Sequence, residues 1–214
     1  MYLPKPFIQD DWSSTVELLG NYPLACIVSQ SATGLVAEHI PLLLLEVQPE
    51  QWVLRGHIAK GNPLANRLAQ PLPVLVIFQA EQAYISPNYY PTKQSDPRVV
   101  PTWNYQVVHI NGQLRGIDDS QWKLALLAEL TKTHEAQQLQ PWQLRDAPES
   151  YIEQLNKAIL GIEVSVEQVQ AKSKMSQNQS PQNQAGVLRG LAERQHPMAE
   201  VLARQISGIQ SESK

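Results

Sequence analysis

The sequence has little of what marks a secreted or a membrane protein. Its one cysteine, Cys26, excludes an intrachain disulfide, and the apolar neighbours of Cys26 favour a small buried hydrophobe over a reactive thiol. The apolar run at residues 40–45 contains Pro41, and no apolar run in the sequence is long enough to span a bilayer. Residues 1–6 lack the charged start and long apolar core of a signal peptide. We therefore expect a cytoplasmic protein that does not associate with membranes.

The charge balance and the absence of familiar motifs exclude further classes. Seventeen Lys and Arg against 20 Asp and Glu leave a net charge of −3, so neither a polyanion nor a polycation is indicated as a partner. The sequence has no Gly-rich phosphate loop, no His-Glu-x-x-His run and no cysteine cluster. Its five histidines stand at positions 39, 57, 109, 134 and 196, and none lies at short metal-ligand spacing from another. We expect no metal site, and no residue is assigned as catalytic.

Hydrophobic periodicity predicts several strands first, with short helices between and after them. Apolar or alternating runs predict strands at 24–29, 35–46, 52–57, 74–78, 82–86, 103–114 and 159–170. Helical spacing and capping residues predict helices at 12–19 and 62–69, from 118, from 148, at 185–194 and after Pro197. Because strands and helices do not alternate regularly, the pattern favours an antiparallel β-barrel with appended helices over a doubly wound sheet.

Three segments carry more specialised residues than plain structure requires. In residues 55–63, a strand delivers Arg55, His57 and Lys60 to a predicted helix start, where cations and backbone N–H groups suit a phosphate. The alternative is that these are solvated charges and a histidine that caps a turn. Residues 100–105 interleave aromatic side chains with an amide, which suits either a stacked flat ring or a strand packed on the core. Residues 172–178 join lysine, hydroxyl and amide groups, and composition alone favours a flexible linker there.

Taken together, these segments and several shorter ones resemble a known family. The matching runs are Tyr2-x-Pro4, Ala37-x-His39-x-Pro41-Leu42, Gly56-His57-x-Ala59-x-x-Asn62-Pro63, Ala83-Tyr84-Ile85-Ser86-Pro87, Val100-Pro101-Thr102-Trp103-Asn104-Tyr105-x-x-Val108-His109 and Lys174-Met175-Ser176-Gln177-Asn178. This order closely resembles the PaiB family, which consists of flavin-binding split-barrel proteins described as negative transcriptional regulators. The resemblance covers residues 1 to about 191.

The resemblance implies both a fold and an assembly. The implied fold is an α+β, pyridoxamine-phosphate-oxidase-like split barrel, with a six-stranded Greek key and appended helices. The resemblance further implies a homodimer with FMN at the subunit interface, so that a monomer would lack half of its site. The implied domain division is an FMN-binding split barrel at 1–191, with helical additions at 118–158, and a helical tail at 192–214.

The cofactor-binding residues also follow from the resemblance. His57, Lys60 and Asn62 fall on the segment that approaches the FMN phosphate, and His39 lies on the strand beside the isoalloxazine ring. A second group comes from the long strand and from the segment after the last strand. Its members are Trp103, Asn104, Tyr105, Lys174, Ser176, Gln177 and Asn178. This assignment replaces the linker interpretation. Lys60 and Gln179 stand where the family often has arginine. Neither residue can make the bidentate hydrogen bonds that an arginine makes to a phosphate.

Several functions remain open at this point. One is an FMN-dependent oxidoreductase or redox sensor, in which the cofactor supplies the chemistry. Another is a transcriptional regulator that acts without flavin turnover. Because the sequence has neither a helix-turn-helix nor a basic recognition helix, we do not expect direct DNA binding. A haem-binding split barrel is a further alternative, with His39, His57 or His109 as the axial ligand.

Overall fold

The computed structural model describes residues 1–212. The strands are β1 (Leu24–Ser31), β2 (Gly34–Pro41), β3 (Leu43–Gln48), β4 (Gln51–Ala59), β5 (Leu72–Ile85), β6 (Thr102–Ile117), β7 (Ile159–Ser165) and β8 (Gln168–Lys174). The α-helices are α1 (Trp12–Asn21), α2 (Ser120–Glu135), α3 (Glu149–Ala158), α4 (Pro181–Glu193) and α5 (Met198–Glu212). Short 3-10 turns occupy Lys5–Phe7, Ala65–Arg67, Pro87–Tyr89, Pro91–Gln94 and Leu144–Asp146.

The chain forms two compact units, and each is built from separated segments. Unit 1 contains residues 1–15, residues 79–108 and the described residues from 170 onward. Unit 2 contains residues 16–78 and 109–169. The two longest strands, β5 with 14 residues and β6 with 16, contribute residues to both units.

Unit 2 is organised by a sheet with the strand order β2-β1-β5-β6-β7-β4-β3. The pairs β1–β2, β1–β5, β3–β4, β4–β7 and β6–β7 are antiparallel. Alternate side chains of β1 are buried, including Ala25 and Ile27, because successive strand residues point to opposite faces. Helix α2 begins after Asp119, whose carboxylate accepts the N–H of Trp122 at 2.7 Å. Leu126 and Leu130, one turn apart on α2, pack with Leu43 of β3.

Two buried charged groups stabilise unit 2. The carboxylate of Glu163 accepts from Arg55 Nε at 2.7 Å and from Arg115 Nη2 at 2.6 Å, because the strand register places all three in one row. Lys123 is 3% exposed, and its ammonium donates to Asp118 Oδ1 at 2.7 Å and to the carbonyl oxygens of Asn156 and Ile159. Each buried charge therefore has an opposite partner.

Unit 1 has its own hydrophobic core, to which both C-terminal helices contribute. The core joins residues of β5, the segment after β5, the segment after β8, α4 and α5: Ala83, Ile85, Tyr90, Met175, Val187, Leu191, Met198 and Leu202. Helix α4 begins after Ser180, with Pro181 at its first position. Gly190 of α4 lies against the ring of Tyr89, where a Cβ would come within 2.3 Å of a ring carbon. The glycine therefore permits this close approach.

The helix predicted at 62–69 is wrong, because the segment forms only a short 3-10 turn at Ala65–Arg67. The Oδ1 of Asn62 accepts the N–H of Leu64 at 2.8 Å, and this local turn competes with helical hydrogen bonding. Arg67 donates to Ser29 Oγ and to the carbonyl of Gln30 on β1, so tertiary contacts fix the segment. A segment this short gains too few hydrogen bonds to offset helix nucleation.

Strand boundaries differ from the prediction wherever the chain changes partner. The strand predicted at 35–46 is divided at Leu42, whose N–H donates to Pro23, as pairing passes from β1 to β4. The strand predicted at 159–170 is divided at residues 166–167, between β7 and β8. By contrast, the two strands predicted at 74–78 and 82–86 form one strand, β5, because the residues between them include no turn former.

The predicted fold class, antiparallel β structure with appended helices, is confirmed. Within residues 1–212 the sheet has eight strands, where the resemblance implied six. Across this same range, no helix is long and apolar enough to cross a membrane.

Candidate functional site

A cavity of about 400 Å³ lies in unit 1 and is lined mainly by polar and aromatic side chains. Its lining comes from the N-terminal segment, the loop after β5, the start of β6 and the segment after β8. The lining residues are Phe7, Tyr90, Arg98, Val99, Val100, Thr102, Asn104, Lys174, Ser176, Asn178 and Gln179. This volume is within the range of small-molecule and cofactor sites.

Asn104 is the most informative residue of this cavity. It is 0% exposed, and its Oδ1 accepts from Ser176 Oγ at 3.1 Å. Its Nδ2 is buried and has no hydrogen-bond partner among residues 1–212. If the amide is turned over, the oxygen loses its partner instead, so one polar atom stays unpaired in either orientation. A buried unpaired donor is costly, and its position in a cavity wall suits a ligand that accepts a hydrogen bond.

The segment after β8 is ordered by local hydrogen bonds, so the linker interpretation is wrong. Gln177 accepts the N–H of Met175 at 2.6 Å and donates back to the carbonyl of Ser173. Met175 is 1% exposed and anchors the segment in the core of unit 1. Ser176 has a φ of 63°, a left-handed conformation that is uncommon for serine. This turn places Ser176 and Asn178 on the cavity wall, whereas Gln177 stabilises the turn and does not line the cavity.

Lys174 supplies a positive charge to the cavity. Its ammonium donates to Thr102 Oγ1 and lies 5.9 Å from the ring centroid of Phe7. Lys174 has no carboxylate partner within the described range, so its charge is not neutralised by an ion pair. Arg98 also lines the cavity, but both carboxylate oxygens of Asp96 engage it, at 2.8 and 2.9 Å. Lys174 is therefore the cation more available to a ligand.

On β6, the side chain of Asn104 points to the opposite face from those of its predicted site neighbours, Trp103 and Tyr105. Strand alternation directs Asn104 into the cavity, and neither Trp103 nor Tyr105 lines it. Trp103 is 52% exposed and meets Tyr84 edge to face, with ring centroids 6.0 Å apart. The ring of Tyr105 lies 5.2 Å from the ammonium of Lys172. Of Trp103, Asn104 and Tyr105, only the asparagine lines this cavity.

The four remaining predicted residues belong to unit 2. His39 is exposed on β2 and lies opposite Cys26 in the sheet. His57 lies on β4, where burial lowers its pKa, and its Nδ1 is buried without a partner among the described residues. Asn62 Nδ2 donates to Glu38 Oε2 at 3.2 Å.

The cations predicted to hold a phosphate are already paired with carboxylates. Lys60 Nζ lies 2.6 Å from Asp118 Oδ2, and Arg55 is bonded to Glu163. Hydrogen bonds from Lys123 and Lys60 hold the pKa of the Asp118 carboxyl below its usual range. A phosphate at Lys60 has to compete with Asp118. Arg55 is likewise not a free surface charge.

Sequence reasoning missed several cavity residues. Phe7, Tyr90 and Thr102 line the cavity but had no assigned role, and Gln179 had been noted only as a departure from the family's arginine. Tyr90 is 5% exposed, and burial raises the pKa of its phenol. Thr102 belongs to the recognised aromatic motif and could have been added on that ground. Nothing in the local sequence marks Phe7, because its role depends on the N-terminal segment reaching β8, through the Ile8–Lys172 bridge.

Comparison with known proteins identifies a family and a fold. The family model described as "Putative FMN-binding domain" matches residues 1–168. The Bacillus subtilis protein named Protease synthase and sporulation protein PAI 2 is 29% identical over 203 residues, which cover 95% of each chain. The Emericella nidulans protein AN0679, which has no assigned function, is 32% identical over 225 residues, covering 89% of this chain and 90% of that protein.

Solved structures with a similar fold bind flavin and haem. The FAD and haem binding protein from Mycobacterium smegmatis has a TM-score of 0.55 at 16% identity, over 78% of this chain and 72% of its own. The flavocytochrome Anf3 from Azotobacter vinelandii has a TM-score of 0.51 at 15% identity, over 78% and 69%. At these identities the likeness establishes the fold, which is the split barrel expected from the sequence.

Proposed function

This chain belongs to the PaiB-type family of FMN-binding domains, and from that premise we propose that it binds FMN in the cavity of unit 1. The observation that carries the proposal is the buried Asn104 amide, which has an unpaired polar atom in the cavity wall. A flavin ring is flat and has carbonyl and N–H groups along one edge. The edge can satisfy the amide in either orientation, which an apolar ligand cannot do.

The other lining residues fit the same cofactor. Phe7 and Tyr90 offer aromatic surface to a flat ring, and Ser176 and Asn178 offer further hydrogen-bonding groups. The ammonium of Lys174 supplies positive charge that favours either an electron-rich ring edge or a phosphate. When bound, a flavin supplies hydride and electron transfer, and the roles of these residues are to bind it, orient it and set the charge around it.

We further propose a homodimer. The supporting observation is an exposed aromatic pair on the sheet of unit 1, in which Trp103 is 52% and Tyr84 is 44% exposed. Large aromatic side chains are enriched in the buried centres of interfaces. Sedimentation velocity tests this directly: a dimer is expected at micromolar concentration, and a monomer that still binds FMN would contradict a shared site.

The regulatory role is proposed as indirect. With 17 basic against 20 acidic residues, we expect no salt-dependent affinity for duplex DNA, so regulation would act through the flavin or a protein partner. Titration of labelled duplex DNA at low salt tests this expectation, and submicromolar binding that weakens steeply with salt would contradict it.

The central experiment is a titration with FMN that follows the quenching of flavin fluorescence. Wild type is expected to bind saturably, and Lys174→Met to bind about tenfold more weakly, since it loses a charge-assisted contact. Lys157→Met removes an exposed lysine of α3 in unit 2 and is the matched control, expected to bind like wild type. Lys60→Ala separates the predicted phosphate site from the cavity, because weakening in this variant alone would place the anchor in unit 2.

Parallel titrations with FAD and haemin identify the cofactor. Absorption spectra separate the two classes, because haem has an intense band that flavins lack. Binding of haemin without FMN or FAD would overturn the flavin proposal and turn attention to His39, His57 and His109 as axial ligands.

A further inference from the structure

A second cavity, of about 570 Å³, lies in unit 2 and shares no residue with the proposed flavin site. One wall is the C-terminal half of α2, with Ala128 and Lys132. The other is the segment 136–147, with Pro141, Trp142 and Arg145. Its volume is within the range of small-molecule sites. No function discussed so far uses it.

The wall formed by 136–147 is held in place by specific hydrogen bonds. Glu135, at the end of α2, accepts the N–H of Trp142 at 3.0 Å. Gln143 and Asp146 form a reciprocal cap around the 3-10 turn, in which Asp146 Oδ2 accepts the N–H of Gln143 at 2.8 Å. The cavity is therefore preformed, so a ligand need not order the segment.

The charged side chains that line this cavity are both cationic. Lys132 and Arg145 are its charged lining residues, and no carboxylate lines it. Lys132 has a loose ion pair with Glu129 at 3.8 Å, with both side chains exposed. No ion pair of Arg145 is found within residues 1–212. The carboxylates adjacent in sequence, Glu135 and Asp146, are engaged by backbone N–H groups. The cavity thus combines an apolar surface with two cationic side chains in its lining, while the carboxylates of Glu129, Glu135 and Asp146 lie outside the lining.

We propose that this cavity binds a small apolar anion, an alkyl or aryl carboxylate. The hydrocarbon would be buried against Pro141, the indole of Trp142 and the helix face at Ala128, which removes apolar surface from water. The carboxylate would pair with Arg145, for which no ion pair is found within residues 1–212, and with Lys132, whose ion pair with Glu129 is long and exposed. An apolar cation would bury the same hydrocarbon but meet like charge, so the site discriminates by sign.

Isothermal titration calorimetry with octanoate, octan-1-ol and octylammonium, all below their aggregation concentrations, tests the proposal on the full chain. Octanoate is expected to bind at least about fivefold more tightly than octan-1-ol, with octylammonium weakest. Arg145→Gln and Lys132→Gln are each expected to weaken octanoate by about two- to fivefold and to leave octan-1-ol unchanged. Lys157→Gln, at an exposed lysine of α3, is the matched control for loss of one positive charge.

Ala128→Trp tests the location of the site. Ala128 is exposed on α2, so a larger side chain there fills the cavity without entering the core, and binding of octanoate and octan-1-ol is expected to be lost together. Thermal unfolding of this variant should match that of wild type. Equal affinity for octanoate and octylammonium, unchanged binding in Ala128→Trp, or no octanoate binding at millimolar concentration would each overturn the proposal.

Discussion

Replacing Asn104 by leucine is expected to separate the stability of the protein from its function. Asn104 is fully buried, and one of its two polar side-chain atoms has no partner among residues 1–212. Leucine has a similar branched shape and no polar atom. We therefore expect Asn104→Leu to fold normally and to bind FMN at least about tenfold more weakly, since the hydrogen-bonding group is removed.

The magnitude follows from the contacts of Asn104. Losing the acceptor of the buried Ser176 hydroxyl costs about 1–3 kcal/mol, and fitting the larger side chain costs about 1 kcal/mol. Removing the unpaired buried polar atom restores about 1–3 kcal/mol, and the additional buried apolar surface contributes about 1 kcal/mol. The net expectation is that the free energy of unfolding without FMN changes by no more than about 2 kcal/mol in either direction.

Urea denaturation with and without FMN measures both effects. Wild type should gain stability from FMN, because the ligand binds only the folded state, and Asn104→Leu should gain little. Asn183→Leu is the control: both polar atoms of this buried asparagine are paired, since Oδ1 accepts from Thr92 and Nδ2 donates to Gln179, so the variant should lose about 2–3 kcal/mol. If Asn104→Leu instead lost more than about 2 kcal/mol without ligand, the amide would be structural and the reasoning refuted.

Three further predictions follow from named contacts. Lys123→Met should lower the free energy of unfolding by about 2–4 kcal/mol in urea denaturation, because it leaves two buried carbonyls and Asp118 without their ammonium. NMR should find the pKa of Asp11 at about 2, because the hydroxyls and N–H of the first turn of α1 favour its ionised form. That stabilisation is present above pH 4 and is lost as pH falls toward 2, and Ser14→Ala should raise the pKa toward 3.8. Gln195→Gly should raise the free energy of unfolding by about 0.5–1 kcal/mol, and the thermal midpoint should rise with it. The reason is that residue 195 follows α4 with a φ of 52°, a left-handed conformation that glycine adopts without strain.

The fold was predictable where local pattern and tertiary partner agree. The strands predicted at 24–29 and 103–114 and the helix predicted from 118 correspond to β1, β6 and α2, whereas the helix predicted at 185–194 begins earlier, at Pro181. The errors arise where a partner overrides the local pattern. At residues 62–69, the turn closed by the Asn62 side chain and the contacts of Arg67 form in place of the predicted helix. At Leu42, the predicted strand is divided because its pairing partner changes.

The candidate site was only partly accessible from sequence. Asn104, Lys174, Ser176 and Asn178 were predicted from the family resemblance, and they line one cavity. Their physical grouping depends on β6 and the segment after β8 lying together, which no local pattern encodes. The ion pair between Lys60 and Asp118 was equally invisible, because its members are 58 residues apart. The binding of FMN by the four predicted residues of unit 2 stays a prediction. These are His39, His57, Lys60 and Asn62.

The division of the two units along the chain has a consequence for synthesis on the ribosome. All segments of unit 2 have been made by residue 169, whereas unit 1 needs the segment from residue 170 onward. Since chains grow at about 5–20 residues per second, unit 2 has time to close before α4 emerges. During that interval Ala83 and Ile85 of β5 lack the helices that later cover them. A nascent chain is therefore most exposed to aggregation late in translation, and slow codons after residue 169 would lengthen that exposure.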